Sequence, residues 1–490
     1  MINWSNSLLI PLILIVSASC STRDTQQVGK TNGQIKPNIL YIMIDDLGWM
    51  DLNYQGGTDY HTPNIDRLAK QGMVFTDAYA AAPVCSPTRA AAMTGLSPAR
   101  LQLTNYTGDR WEYYEGKEYG PGKSVRHLEP SYNTIAEQLK TEGYATGFIG
   151  KWHLAGASRD ALIEECLPTN QGFDINIGGC TMGGPGGDSS YFDPFTIPTI
   201  TNRNAGEYLP YRLADEAINY MKNQKDSDNP FFLCLWNYTV HWPVEAPGEL
   251  IKKYAPDGNP NLHQKFQAMV EGMDAAIGKV LISLDDMGLA DNTLVVFTSD
   301  NGPFTGDIPE EITSAKPLKD EKGYLSEGGI RVPLIIRWPG KIKPGTVSEE
   351  PVITMDFAPT FLAAAKKEYK AQFFDGESLL PLLTENKELK RSSIYFHYPH
   401  YAFHKLNKMG SAIRKGDYKL IFYHNTEEVQ LYNLKEDIGE SEDLAAKDPD
   451  KTEEMFAELN EWLVETNAQM PRKMEDIDED ELLGKREFKN

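Results

Sequence analysis

The sequence predicts an α/β protein: a large mixed, mostly parallel sheet flanked by helices, then a smaller C-terminal antiparallel sheet plus helix. Three observations carry this. Asn38–Ile44, Phe231–Trp236 and residues 293–298 are short, unbroken apolar runs, as strands buried on both faces require. Capped, periodic segments of helical length lie between them. From about Ser392 the texture changes to alternating, aromatic-rich segments at 394–398, 411–414, 418–423 and 429–432, with a turn at Lys415-Gly416-Asp417.

The 490 residues suffice for two or three domains and a large core. A net charge of −22 argues against non-specific nucleic-acid binding, and no nucleic-acid partner is expected. A polyanionic substrate would need a pocket that is locally basic against this background. Residues 8–16 are apolar but too few to span a bilayer. Ser17-Ala18-Ser19-Cys20 resembles a bacterial lipoprotein cleavage box, with lipid on Cys20 as a membrane anchor. The start lacks Lys and Arg, and Ser17 stands where leucine is usual; cleavage by an ordinary signal peptidase is the alternative. Either route predicts export, to the periplasm or as an outer-membrane or cell-surface lipoprotein. The expected organisation is a signal peptide (1–20), a polar linker (21–36), a catalytic domain (37–385) and a C-terminal α+β subdomain (386–490).

In chain order, the strand Asn38–Ile44 ends in Asp45-Asp46, at the carboxyl edge where open α/β sheets bind ligands. Two acids there read either as a solvated turn or as a metal site. Thr62 and Pro63 open a helix that Gly72 closes. Then comes Cys85-Ser86-Pro87-Thr88-Arg89-Ala90-Ala91-Ala92-Met93-Thr94-Gly95. Ser86 suits the cap, Pro87 the first helical position and Gly95 the stop. Cys85 then sits at the positive end of a short helix, and Arg89 returns a charged fork to the same spot. Alone, Cys85 reads as a small buried residue.

Residues 134–142 carry a Thr134/Glu137 capping box. The strand 144–149 runs into Gly150-Lys151-Trp152-His153-Leu154. If extended, Lys151 and His153 point the same way. Residues 168–204 are rich in Gly, Pro and Asn and read as a long irregular insertion, a candidate for substrate contacts. Residues 212–221 form an amphipathic helix. His241-Trp242-Pro243 follows the strand Phe231–Trp236. Residues 262–284 carry a core-facing helical stripe. Strand 293–298 ends in Ser299-Asp300-Asn301-Gly302, repeating the logic of Asp45-Asp46. Residues 332–338 form a further strand, Asp356 caps a helix through Ala365, and Asp448-Pro449 starts the last helix. The tail beyond Met470 reads as loose. Cys234 belongs to the core; Cys166 and Cys180 could pair in an oxidising compartment.

The pentapeptide at Cys85 resembles the type I sulfatase signature Cys-x-Pro-x-Arg, whose cysteine is oxidised to formylglycine. Asp45-Asp46, the Thr-Pro-Asn-Ile-Asp run from Thr62, Gly-Lys-Trp-His-Leu from Gly150, the His-x-Pro at His241, Asp300-Asn301 and Glu327-Gly328-Gly329-Ile330-Arg331-Val332-Pro333 are similar to further motifs of that family, in its order. The resemblance covers about residues 36–466 and implies an alkaline phosphatase-like fold. It implies one calcium ion per subunit, held by Asp45, Asp46, Asp300 and Asn301 with the oxidised Cys85 beside them. It implies a maturing partner, either a formylglycine-generating enzyme or an anaerobic sulfatase-maturating enzyme. Arg89, Lys151 and Lys322 would hold the sulfate oxygens, His241 would protonate the leaving oxygen, and His153 would act as base on the second hydroxyl of the aldehyde hydrate. The family's Leu-Arg-Gly-Gly-Lys-Gly reads Leu318-Lys319-Asp320-Glu321-Lys322-Gly323 here. Lys319 replaces the arginine, and two acids replace glycines; those acids could bind a cation or a basic group, or turn outward.

The expected activity is sulfate ester hydrolysis on sulfated poly- or oligosaccharides. One alternative is a phosphonate monoester or phosphodiester hydrolase of the same superfamily, which rates on sulfate and phosphate esters of one alcohol would distinguish. Another is a non-catalytic glycan-binding lipoprotein, marked by an unmodified thiol at Cys85.

Overall fold

The protein is described from a computed structural model, which covers Met1 and residues 36–107, 111–156, 162–185, 190–305, 311–402 and 407–477. Cys20 and the apolar run before it lie outside the described residues. From Lys36 onward the chain clusters as one compact unit.

Eight strands build the main sheet: β1 (Asn38–Ile44), β2 (Met73–Phe75), β3 (Ala145–Gly150), β4 (Ile175–Ile177), β5 (Phe231–Trp236), β6 (Thr293–Ser299), β7 (Leu334–Arg337) and β8 (Thr346–Ser348). Their order is β8-β2-β7-β6-β1-β5-β3-β4, with β7 antiparallel to both neighbours and every other pairing parallel. Alternate residues of β1 feed two cores, as a doubly covered strand must. Leu40, Ile42 and Ile44 pack towards helices α1 (Pro63–Gln71), α4 (Leu209–Gln224) and α5 (Leu262–Asp286). Ile39, Tyr41 and Met43 pack towards α2 (Cys85–Thr94), α3 (Ile135–Lys140) and α6 (Phe357–Ala364). The register pairs Ile44 with Ser299, Met43 with Trp236 and Trp236 with Gly150. Four central strands therefore end at one level, and the residues just beyond them share one edge.

The C-terminal sheet, β9 (Ser393–Tyr398), β10 (Gly410–Lys415), β11 (Tyr418–Tyr423) and β12 (Glu428–Asn433), is antiparallel in sequence order. One face holds α7 (Pro449–Glu465) through Met455, Leu459 and Leu463. The other, with Phe396, Ala412 and Ile421, packs on Tyr79, Val84, Ala91 and Ile330 of the larger part. Charged groups reinforce this seam. The buried Lys419 ammonium lies 2.9 Å from both Glu327 and Glu440, and Glu327 also meets Arg331 at 3.1 Å. Such a network is weak evidence for stability but a strong constraint on which partners must be present.

Several expectations are corrected. Helix α2 begins at Cys85 with Val84 as N-cap, because long-range partners capture the Ser86 hydroxyl, which donates to the His153 carbonyl and accepts from Thr107 N–H. Gly95 does end it, at φ 71°. Asp356 precedes α6 but its carboxylate serves Ile353 N–H, Glu377 N–H and Arg391 rather than a cap. The insertion after Pro168 contains edge strand β4. Cys166 and Cys180 are both buried and do not form a disulfide. The tail is tied beyond Met470, since Arg472–Lys473 pairs with Tyr119–Gly120.

The buried His397 and the half-buried His424, in and beside the small sheet, give an acid-sensitive element. His397 and His424 both meet the Ser411 hydroxyl, at 2.7 and 2.8 Å. Burial pushes His397 down to about 4; burial, with His397 adding to it, pushes His424 down to about 3. The unfolded chain takes up these protons near 6.5 and the folded one does not. Stability present above that value is therefore lost as pH falls towards 4, by about 3 kcal/mol for His397. Thermal midpoints measured from pH 7 to 4 should fall, and His397→Gln should flatten the part of the fall between 6.5 and 4. Equal slopes in both proteins would contradict this.

Candidate active site

The strand ends bring the acids together through bonds made mostly by the backbone. Asp300 N–H donates to the Ile44 carbonyl at 3.2 Å, and Asp46 N–H to Asp300 Oδ1 at 3.2 Å. Asp46 takes φ 59°, which turns its carboxylate back across the strand end. On the other side of β1, Asp45 N–H donates to the Thr239 carbonyl at 2.9 Å, and Val240 N–H to the Asp45 carbonyl at 2.6 Å. This couples the Asp45-Asp46 turn to the segment that carries His241.

Each carboxylate meets a cation. Lys151 Nζ lies 2.6 Å from Asp45 Oδ2, Lys322 Nζ 2.5 Å from Asp46 Oδ1, and Arg89 Nη2 2.7 Å from Asp300 Oδ2. All six groups are buried. Burial opposes ionisation of Asp46, but Lys322, His241 and Lys151 outweigh it and hold the carboxyl well below the usual range. Burial pushes Asp45 well up, with Lys151 offsetting part of the rise. Burial works against the charge of Lys322, yet Asp46 holds the ammonium above its ordinary range.

Arg89 is differently placed from the sequence expectation. Its Nε and Nη2 donate to Asp300 Oδ2 and its Nη1 to the Lys151 carbonyl at 2.8 Å, with the guanidinium 5.3 Å over the Trp236 ring. These donors fix Asp300 and the Lys151 backbone. Lys151 and His153 converge, but from a loop: β3 ends at Gly150, and His153 adopts φ 58°. The ring of His153 donates Nε2–H to the Thr107 carbonyl at 2.9 Å, a tautomer assigned from the hydrogen-bond network. Nδ1 is then a buried acceptor without a hydrogen-bond partner. Burial, with Lys151 adding to it, pushes His153 well down, so the imidazole is neutral. His241 gives Nδ1–H to the Trp242 carbonyl at 2.7 Å and faces Asp46 with Nε2 at 3.9 Å. Cys85, at 3% exposure, starts α2 beside these groups; burial pushes its thiol up despite Lys151 and Lys322. A thiol in that state is a poor nucleophile.

Lys319 does not join the site. Its ammonium reaches Tyr432 OH and the Glu440 carbonyl, both at 3.2 Å. Asp320 accepts from Ser326 Oγ and Glu321 from Thr305 N–H, so both acids serve the local loop. Residues that sequence reasoning passed over include Thr107, whose role is a backbone carbonyl with no signature in letters. Gly183 and Gly184 are others. A Cβ on Gly183 would lie 2.6 Å from His153 Cε1, and one on Gly184 3.5 Å from His241 Nδ1. The glycine run was visible; its contact with two histidines was not.

The donor set fits a hard divalent cation. Among the described residues, Asn301 Oδ1 has no hydrogen-bond donor, and Asp45 Oδ1 has none either, meeting only the Arg89 guanidinium at 3.8 Å; buried acceptors in that state suit a cation. Asn301 Nδ2 donates to Asp46 Oδ1 and to the Gly302 carbonyl, which identifies its free atom as oxygen. Ligand atoms of Asp45, Asp300 and Cys85 lie within 4.8 Å of one another. An all-oxygen set of three carboxylates and an amide suits calcium.

Comparison with known proteins agrees in extent. The sulfatase family matches residues 37–367, and the family of N-sulphoglucosamine sulphohydrolase C-terminal segments matches residues 320–469. A sulfatase of Formosa agariphila is 31% identical, over 90% of this chain and 91% of its own. Human arylsulfatase A is 33% identical, over 79% and 75%. The crystal structure of Ps i-CgsB in complex with k-i-k-neocarrahexaose superposes with a TM-score of 0.75 at 29% identity, covering 93% of this chain and all of that one.

Calorimetric titration of the chelator-stripped protein should show calcium binding, and Asp45→Asn should weaken it at least about tenfold. Equal affinity in the two proteins would remove Asp45 from the ligand set.

Proposed function

The chain belongs to the sulfatase family, and from that premise we propose that it hydrolyses sulfate esters on a sulfated carbohydrate, using formylglycine made from Cys85 and a calcium ion. One observation carries the reading. Cys85, three carboxylates, one amide oxygen and two lysine ammonium groups, from five separate segments, converge at one sheet edge.

The charges explain why the pocket suits an anion. Asp45, Asp46 and Asp300 are balanced by Lys151, Lys322 and Arg89. A dication added to this neutral set leaves a positive pocket inside a chain of net charge −22. Asp45, Asp46, Asp300 and Asn301 would hold calcium, which would supply Lewis acidity there. Formylglycine at position 85 would supply a hydroxyl nucleophile and a second hydroxyl through which the aldehyde is regenerated. Lys151 and Lys322 neutralise the sulfate oxygens as charge shifts onto them. Arg89 keeps Asp300 and Lys151 in place. His241 Nε2 delivers a proton to the departing alcohol; it must carry a second proton to do so, which an anionic ester nearby favours. His153 Nδ1 accepts the proton from the second hydroxyl, and the Thr107 carbonyl holds it in the tautomer that can.

The carbohydrate substrate is supported by a solved relative that holds a neocarrahexaose. Export, with a lipid on Cys20, belongs to the same proposal, as does a maturing enzyme that reaches Cys85 in the cell.

Cys85→Ala should reduce sulfate release to background while keeping the wild-type thermal midpoint, and mass spectrometry of the wild-type Cys85 peptide should show the aldehyde. Retained turnover in the variant would overturn the nucleophile. Gly183→Ala pushes a methyl group into the His153 ring, so kcat should fall at least about tenfold. Unchanged kcat would mean His153 tolerates displacement and is not the base.

A further inference from the structure

We propose that Trp242 is the platform on which the sugar ring bearing the scissile sulfate lies; this rests on the glycan reading above and deepens it. Trp242 is a large apolar side chain left 48% exposed. Exposure alone is ordinary, since Phe373 and Val464 are more exposed; what sets Trp242 apart is its place next to His241 at the candidate site. Two further observations say what it meets.

The first is a gradient of exposure. Cys85 is 3% exposed, the Asp46 side chain 4%, the neighbouring His241 side chain 26%, and Trp242 48%. Solvent therefore reaches the reacting groups past His241, and the path opens at Trp242. His241 is the group that hands a proton to the departing alcohol, so the alcohol portion lies on its side, while the lysines take the sulfate. The chemical class that meets Trp242 is thus the leaving sugar. A pyranose offers a flat C–H face to an aromatic ring and hydroxyls to the indole N–H.

The second is rigidity. The segment that presents the indole is pinned on several sides. The Tyr191 hydroxyl is 2.5 Å from the Tyr238 carbonyl and 2.9 Å from that of His241. Glu245 accepts from Tyr191 N–H at 2.7 Å and from Ser190 Oγ at 3.2 Å, and its carbonyl accepts from Tyr208 OH at 3.1 Å. Val240 N–H is bonded to Asp45, and the Trp242 carbonyl itself receives His241 Nδ1–H. The same short stretch thus fixes the proton donor and displays the ring. A surface held this firmly loses little freedom when a ligand settles on it.

The test uses the full, matured protein. Methyl glycosides of galactose, N-acetylgalactosamine and N-acetylglucosamine, each monosulfated at every available hydroxyl, are assayed for released sulfate. Butyl sulfate, an ester with no ring, serves as reference. Trp242→Leu keeps an apolar side chain but removes the flat face. It should lower the ratio of kcat/KM for the hydrolysed glycoside to that for butyl sulfate at least about tenfold, mainly through KM. Trp242→Phe should restore the ratio to within about threefold. The desulfated glycoside should also shift the tryptophan fluorescence of the wild type and not that of either variant. An unchanged ratio in Trp242→Leu, or equal losses on both esters, overturns the platform and leaves the glycan reading standing. No sulfate released from any glycoside by the wild type, while butyl sulfate is turned over, overturns the glycan reading and the platform with it.

Discussion

Everything at the sheet edge depends on holding three carboxyl groups together in a place with almost no water. Asp45, Asp46 and Asp300 are buried, and isolated charges there would be neutralised by protonation. The pairing of β1 with β6 forces the arrangement, since bonding Ile44 to Ser299 leaves the residues beyond both strands side by side. Lys151, Lys322 and Arg89 answer the charges, Arg89 facing both Asp300 and Asp45, and Asn301 Oδ1 has no hydrogen-bond donor among the described residues. The pocket is thus a balanced ionic cluster.

That cluster reaches well beyond its own residues. Lys322 is held because its N–H bonds the Pro303 carbonyl, and Gly302 N–H bonds Gly329, which brings the Glu327-Gly328-Gly329 turn to the pocket wall. Glu327 is in turn clasped by Lys419 from the small sheet. On the opposite side, Ser86 and Thr107 tie the start of α2 to His153. Cys85, His153 and the C-terminal sheet form one continuous chain of contacts.

Much of this was readable from the letters. The buried strands, their terminal acids and the segment at Cys85 are local patterns with strong physical reasons, and the main sheet and small sheet follow from them. What escaped was of two kinds. Backbone groups, such as the Thr107 carbonyl that orients His153, carry no letter. Side chains with several eligible partners, such as Arg89, Ser86 and Asp356, chose among them by tertiary position: Arg89 turned to Asp300 instead of the pocket, and Ser86 gave up the cap for His153. Lys319, Asp320 and Glu321 show the same limit, because only the fold reveals that they face a loop and the small sheet.

The near-complete enclosure of Cys85 has a consequence for biosynthesis. On the proposed chemistry, an oxidising catalyst would need more of the side chain than the 3% the fold leaves exposed, so conversion would precede closure of the fold. Closure itself waits for distant sequence, because Glu327 lacks its lysine until residue 419 has left the ribosome. Some 330 residues of translation therefore separate the appearance of the cysteine from the pairing of Glu327 with Lys419.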